Sequence, residues 1–139
     1  METVLKTSLS VEEQSLVQMA EDTIGRAHAP FTRVQVGSAV LTEGGVYEGC
    51  NVESAISGLG ICAERNAINH AVLHEGPDVK IEALSVAWTR RERIRPCGAC
   101  LQYLTEFSAN DVKIIMAQQN EPTVVVGYLK TMLPYGYAL

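Results

Sequence analysis

The chain has 139 residues, a formal charge of −5, 47% apolar and 19% charged side chains. That length builds one domain with a sizeable core, residues 1–139, rather than two. The acidic balance excludes a general nucleic-acid binder, which carries a basic face, and the sparse charge points to surface covered by other subunits.

Ser10-Val11-Glu12-Glu13 has the form of a capping box, with Ser10 as N-cap and Glu13 reaching back. Leu16, Met19, Ala20 and Ile24 recur behind it at helical spacing, which predicts a first helix over about 11–27. Ala29-Pro30-Phe31-Thr32 ends it. The β-branched run 34–42, the turn Gly44-Gly45 and the resumption at Val46-Tyr47-Glu48 predict a hairpin, with Gly37 marking a close backbone approach or a bulge.

Residues 52–61 lack periodicity and read as a loop. A helical stripe at 63, 67, 68, 71 and 72 follows and stops at Gly76-Pro77. Ile81 to Trp88 is apolar almost throughout, as in a strand buried on both faces. Arg90-Arg91-Glu92-Arg93-Ile94-Arg95 is a basic loop. A helix over about 98–107, strands at 112–117 and 123–126, and a helical turn at about 128–132 complete the chain. The order α-β-β-α-β-α-β-β predicts an α/β domain with a mixed central sheet.

No apolar run approaches the roughly 18–20 residues of a membrane span. Met1-Glu2-Thr3-Val4-Leu5-Lys6 lacks the basic start and apolar core of a secretory signal. The expectation is a cytoplasmic protein that engages no membrane and no nucleic acid. Four cysteines in a reducing compartment point to ligands or buried thiols rather than disulfides.

Three of those cysteines fall where a loop enters a helix: Cys62 before the second, Cys97 and Cys100 at the start of the third. Helix N-termini carry partial positive charge and free N–H groups, which favour the thiolate that zinc requires. Three thiolate ligands leave one coordination position open, where water is activated, so the pattern points to one catalytic Zn²⁺ per chain. Glu64, two residues from a ligand, is placed to handle that water's proton. Arg65 offsets the negative thiolates by hydrogen-bonding sulfur, or else makes a surface ion pair.

The histidines compete poorly. His70 lies eight residues past Cys62, about 12 Å along a helix at 1.5 Å per residue, too far to share an ion. His70 and His74, four apart, read as ordinary partly exposed side chains. Cys50 as a fourth ligand would close the site into a structural zinc. It lacks a CxxC partner and reads as a buried free thiol.

Cys62-Ala63-Glu64 with Pro96-Cys97-Gly98-Ala99-Cys100 matches the zinc deaminase pattern of three ligands and a non-ligand Glu. The chain resembles the small cytidine deaminases on these motifs. It does so also on Ala29-Pro30-Phe31-Thr32, Val36-Gly37-Ser38-Ala39, Gly49-Cys50-Asn51-Val52-Glu53 and Leu133-Pro134 followed by Tyr137. The resemblance implies a three-layer α/β/α fold with a five-stranded sheet, a homotetramer, and a role in pyrimidine salvage: hydrolysis of cytidine and deoxycytidine, small-molecule cytosine nucleosides, to the uridine forms with release of ammonia. It implies Zn²⁺ on Cys62, Cys97 and Cys100, with Glu64 moving a proton from the attacking water to ring N3 and then to the leaving amine. It also implies Asn51 and Glu53 on the ribose hydroxyls, the Ala63 N–H on the pyrimidine carbonyl, and Tyr137 stacked on the base in a neighbouring subunit. An Asn and a Glu two apart on an extended segment point the same way, which suits two sugar hydroxyls.

Three positions depart from the family's usual residues: Val34 for Phe, Arg95 for Ser, and Leu101 for Arg. Val34 opens the base pocket, and with the Leu133-Pro134-Tyr135-Gly136-Tyr137 ending it brings in the deaminases of cytosine nucleoside antibiotics such as blasticidin S. Asn51 and Glu53 favour a free ribose instead. A third reading is a non-catalytic zinc module with Cys50 as fourth ligand and the 90–95 loop as an anion or RNA patch.

Overall fold

The computed structural model describes residues 1–90 and 95–138. Residues 91–94, the middle of the basic loop where an anion or RNA patch is expected, lie outside the described residues.

The capping box forms as the sequence predicts: Glu13 N donates to Ser10 Oγ and Ser10 N to Glu13 Oε2, each at 3.1 Å. It starts α1 (Val11–Thr23), which tightens into a 3₁₀ turn at Ile24–Arg26. The hairpin is β2 (Val36–Thr42) and β3 (Gly45–Cys50). Then come α2 (Ala63–Glu75), β4 (Ile81–Trp88), α3 (Gly98–Glu106), β5 (Ser108–Gln118), β6 (Thr123–Tyr128) and α4 (Leu129–Met132). Gly76 caps α2 at φ +88°, a conformation glycine adopts without a Cβ clash.

The sheet has six strands, not five. The additional one is β1 (Glu2–Leu5), which pairs antiparallel with β6 so that Glu2 faces Val126 and Leu5 faces Thr123. Four residues carry too little alternation to read as a strand; only the open edge of β6 makes them one. The order is β1-β6-β5-β4-β2-β3, with β4 and β5 parallel and the other neighbours antiparallel.

Alternation along the central strands sorts their side chains onto two faces. Leu84, Val86, Ile114 and Met116 pack with Ala67, Ile68 and Ala71 of α2 and Leu101 and Leu104 of α3. Ala83, Ala87, Ile115 and Ala117 pack with Leu16, Val17 and Ala20 of α1 on the opposite face. The result is a three-layer α/β/α arrangement.

Two glycines set how close the helices come. A Cβ at Gly37 would lie 2.0 Å from the Ala20 carbonyl oxygen, so this glycine marks a close approach to α1 rather than a bulge. A Cβ at Gly49 would lie 2.2 Å from Ala67 N, so α2 rests directly on β3. That contact, and the packing of α2 and α3 on one face, brings the two helix starts together.

Candidate active site

Cys62 and Cys97 are the N-cap residues of α2 and α3, with nearly equal backbone angles (φ −69°, ψ 154° and φ −70°, ψ 163°). Cys100 lies one turn into α3, and its backbone N–H donates to Cys97 Sγ at 3.4 Å. The three sulfurs lie within 4.8 Å of one another, with Cys97 and Cys100 at 3.2 Å. Four-coordinate zinc with Zn–S bonds of ~2.3 Å sets its sulfurs roughly 3.8 Å apart, so small side-chain shifts seat the ion. Three soft donors at two helix N-termini fit Zn²⁺.

Proton affinities in the cluster follow from who donates to whom. The Cys62 thiol is held well below its usual range, first by the hydrogen bond from Cys100 and then by Arg65. Cys100 is pushed up, first because it donates to Cys62 and then by burial. Metal binding must displace thiol protons from the cluster.

Arg65 points at the cluster: its Nη2 donates to Cys62 Sγ at 3.6 Å. The hydrogen-bond reading of Arg65 therefore holds over the surface ion pair. Leu101, at a position where the resemblance leads one to look for Arg, is buried in the α2–α3 core. Arg65 is the one cation hydrogen-bonded to these sulfurs among the described residues.

Glu64, the second residue of α2, is 5% exposed. Burial raises its pKa from 4.5 to about 7, and the Cys62 charge adds to the effect. A carboxyl that gains and loses a proton near neutrality suits general acid–base work. Ala63 is the first residue of α2, so its N–H has no intrahelical acceptor.

These groups line a cavity of about 170 Å³. Thr32, Val34, Val36, Asn51, Arg95 and Cys97 line it together with Cys62, Ala63 and Glu64. Two of the three departures, Val34 and Arg95, thus face the candidate active site.

Asn51 and Glu53 do point the same way, toward the chain's own 31–36 segment. Asn51 Oδ1 accepts from Val36 N and its Nδ2 donates to the Val34 carbonyl, each at 2.8 Å. Glu53 Oε2 accepts from the backbone N–H groups of Phe31 and Thr32 at 2.9 and 3.2 Å, and its Oε1 from the Thr32 hydroxyl. The Thr32 hydrogen bond, followed by the backbone ones, holds the Glu53 carboxyl below its usual range. Within this loop Arg33 sits at φ +57°, a left-handed conformation that costs a non-glycine residue energy. Thr32 is the loop residue that sequence reasoning missed. Its hydroxyl joins Glu53 to Val34 N, a link between residues twenty-one apart that spacing alone does not reveal.

Tyr137 lies elsewhere. Its side chain is 73% exposed, and its backbone is clamped to α3 by both ends of the Gln102 amide, at 2.7 and 2.9 Å. Cys50 is a half-buried free thiol outside the sulfur cluster, whereas a buried one was expected, and its carbonyl accepts from Asn66 Nδ2. The four-thiolate module therefore has no fourth thiol at the cluster. His70 and His74 stack with Tyr47 and stand outside the cluster too.

Comparison with known proteins agrees with this geometry. The family profile described as "Cytidine and deoxycytidylate deaminase zinc-binding region" matches residues 10–116. The chain is 36% identical over 107 residues to the cytidine deaminase of Halalkalibacterium halodurans, covering 76% of this chain and 80% of that protein. It is 34% identical over 114 residues to a probable cytidine deaminase of Dictyostelium discoideum, covering 81% and 75%. The crystal structure of cytidine deaminase from Burkholderia pseudomallei superposes with a TM-score of 0.82 at 30% identity, covering 93% of this chain and 100% of that one.

Proposed function

The chain belongs to the cytidine and deoxycytidylate deaminase family, and from that premise we propose that it is a zinc-dependent hydrolase converting cytidine and deoxycytidine to uridine and deoxyuridine with release of ammonia. The observation that carries the reading is one cavity lined by both the buried Glu64 and two of the three clustered cysteines. Zn²⁺ held by Cys62, Cys97 and Cys100 supplies the Lewis acidity that makes water a nucleophile at neutral pH.

The remaining work falls to side chains of this protein. Glu64 accepts the proton of the attacking water, delivers it to ring N3, and then serves the leaving amine. One water is consumed: its oxygen bonds to C4, the C4–N bond breaks and ammonia departs. Arg65 tempers the thiolate charge by donating to Cys62. The Ala63 N–H meets the pyrimidine carbonyl. Asn51 and Glu53, which follow β3 and hold the 31–36 loop in place, bind the ribose hydroxyls. Tyr137, exposed and tethered by its backbone, stacks on the base in a neighbouring subunit's site.

The same reading takes residues 1–139 as one deaminase domain that assembles as a homotetramer and serves pyrimidine salvage in the cytoplasm. Exposed apolar side chains such as Phe31, Ile56, Leu59 and Leu73 support assembly. No helix among the described residues is long and apolar enough to cross a membrane. The cytidine deaminase names of the relatives favour cytidine over a nucleoside antibiotic as substrate. Purified, zinc-loaded protein is expected to deplete the ultraviolet absorbance of cytidine with stoichiometric ammonia release. Full zinc occupancy without turnover would remove this reading, and sedimentation analysis decides the tetramer.

A further inference from the structure

Every polar atom of Thr32 is engaged. Its N–H and its hydroxyl bond to the Glu53 carboxylate, and the hydroxyl also accepts from Val34 N at 3.1 Å. Its carbonyl accepts from Arg90 Nη2 at 3.1 Å. A carboxylate thus holds the N–H end of this residue and a guanidinium the C=O end. Hydrogen bonds with one ionised partner are roughly twice as strong as neutral ones.

Arg90 follows Trp88, the last residue of β4, by two positions, and the chain runs on from it to Arg95, Pro96 and Cys97. Its bond to Thr32 therefore ties the stretch that leads into α3 to a loop 58 residues earlier. Thr32 and Val34 of that loop line the same cavity as Arg95 and Cys97.

Backbone strain gives the tie a consequence. Arg33, between Thr32 and Val34, sits at φ +57°. A non-glycine residue stays there only while its surroundings hold it. Released at the Thr32 carbonyl, the loop can relax at Arg33 and carry Thr32 and Val34 away from the cavity. The thiols and Glu64 do not follow, because the packed faces of α2 and α3 fix them.

We infer that Arg90 is a positioning residue for the ligand-binding loop: its guanidinium latches the Thr32 carbonyl and, together with Glu53, keeps Thr32 and Val34 against the bound nucleoside. The inference rests on the proposed deamination for the identity of the ligand, whereas the latch itself is a property of the free protein. Arg90 acts through the loop and not on the reacting atoms, so its loss weakens binding more than chemistry.

Two measurements on zinc-loaded protein test this. In steady-state kinetics Arg90→Met, which keeps the stem and loses the charge, should raise KM for cytidine about five- to tenfold and lower kcat by less than about twofold. Arg90→Lys retains a cation that reaches a carbonyl and should recover part of the loss. Amide hydrogen exchange reads the loop without a ligand. The N–H groups of Phe31, Thr32 and Val34 should lose protection about tenfold in Arg90→Met, while those in the middle of α2 keep theirs. Unchanged protection overturns the latch, as does a loss confined to kcat or an equal KM in the Met and Lys variants. Lost protection in a protein that deaminates no cytidine would keep the latch and sink the deaminase. Cytidine turnover with one KM for wild type and Arg90→Met would do the reverse.

Discussion

Cys62 and Cys97 cap two helices with nearly the same backbone angles, whereas Asn51 and Glu53 hold an irregular loop through side-chain hydrogen bonds. On the thiol side, position is set by α2 and α3, whose packed faces bury Ala67, Ile68, Leu101 and Leu104. Displacing a sulfur there means displacing a helix. On the loop side, a few hydrogen bonds hold Thr32 and Val34 around a strained Arg33. The first side holds three thiols and the buried Glu64 on a rigid support. The second is held lightly, so its side chains can set ligand preference at small cost to stability.

The largest test of that contrast is Glu64→Gln. It keeps size and burial and removes the proposed proton carrier, so zinc content by atomic absorption should stay at one per chain. Turnover of cytidine should fall about 10³-fold. Retained turnover would take Glu64 out of its role and leave the thiol side without a proton carrier.

A second test addresses the rigidity of the same side without metal. Burial raises the Glu64 pKa from 4.5 to about 7. The protonated form is the one folding favours, so this group's contribution is fully present below about pH 4.5 and is lost as pH rises through about 7. The change is on the order of 3 kcal/mol. Urea unfolding of chelated protein between pH 4.5 and 8 should show the decline, and Glu64→Gln should flatten it.

Asn51→Ala probes the loop side. It leaves the Val36 N–H and the Val34 carbonyl without their partners, at about 1–3 kcal/mol. Unfolding curves should register that loss, and KM should rise more than kcat falls, because the loop moves and the thiol side does not. An equal fall in kcat alone would tie the two sides together more tightly than their construction suggests.

Val34→Phe is the mildest change. An added ring fills the cavity and offers a stacking surface for a base, roughly 1 kcal/mol. The ratio of kcat/KM for cytidine over 5-substituted cytidines should rise up to about fivefold. A ratio that does not move would mean that Val34 is not a selectivity position.

Most helices and strands were legible in the sequence because their signals are local. Ser10 and Glu13 cap each other across three residues, Gly76 ends α2, and the apolar run from Ile81 to Trp88 maps onto β4 residue for residue. The three thiols and Glu64 were legible for the same reason, since a ligand at a helix start carries its spacing in the sequence. Arg65 was legible as a choice of two roles, and the 3.6 Å approach to Cys62 made the choice.

What the fold alone decided depends on contacts between distant segments. β1 is a strand because β6 offers an unpaired edge, a fact absent from four residues read by themselves. Asn51 and Glu53 follow β3, yet they bond to a loop some twenty residues earlier. Arg95 became part of the cavity around Glu64 only when the start of α3 was brought beside the 31–36 loop. Spacing along a chain determines which groups share a helix turn, so the amino-acid sequence determined the chemistry of the thiol side. Packing across the sheet determines which turns face one another, so only the tertiary structure decided what surrounds that chemistry.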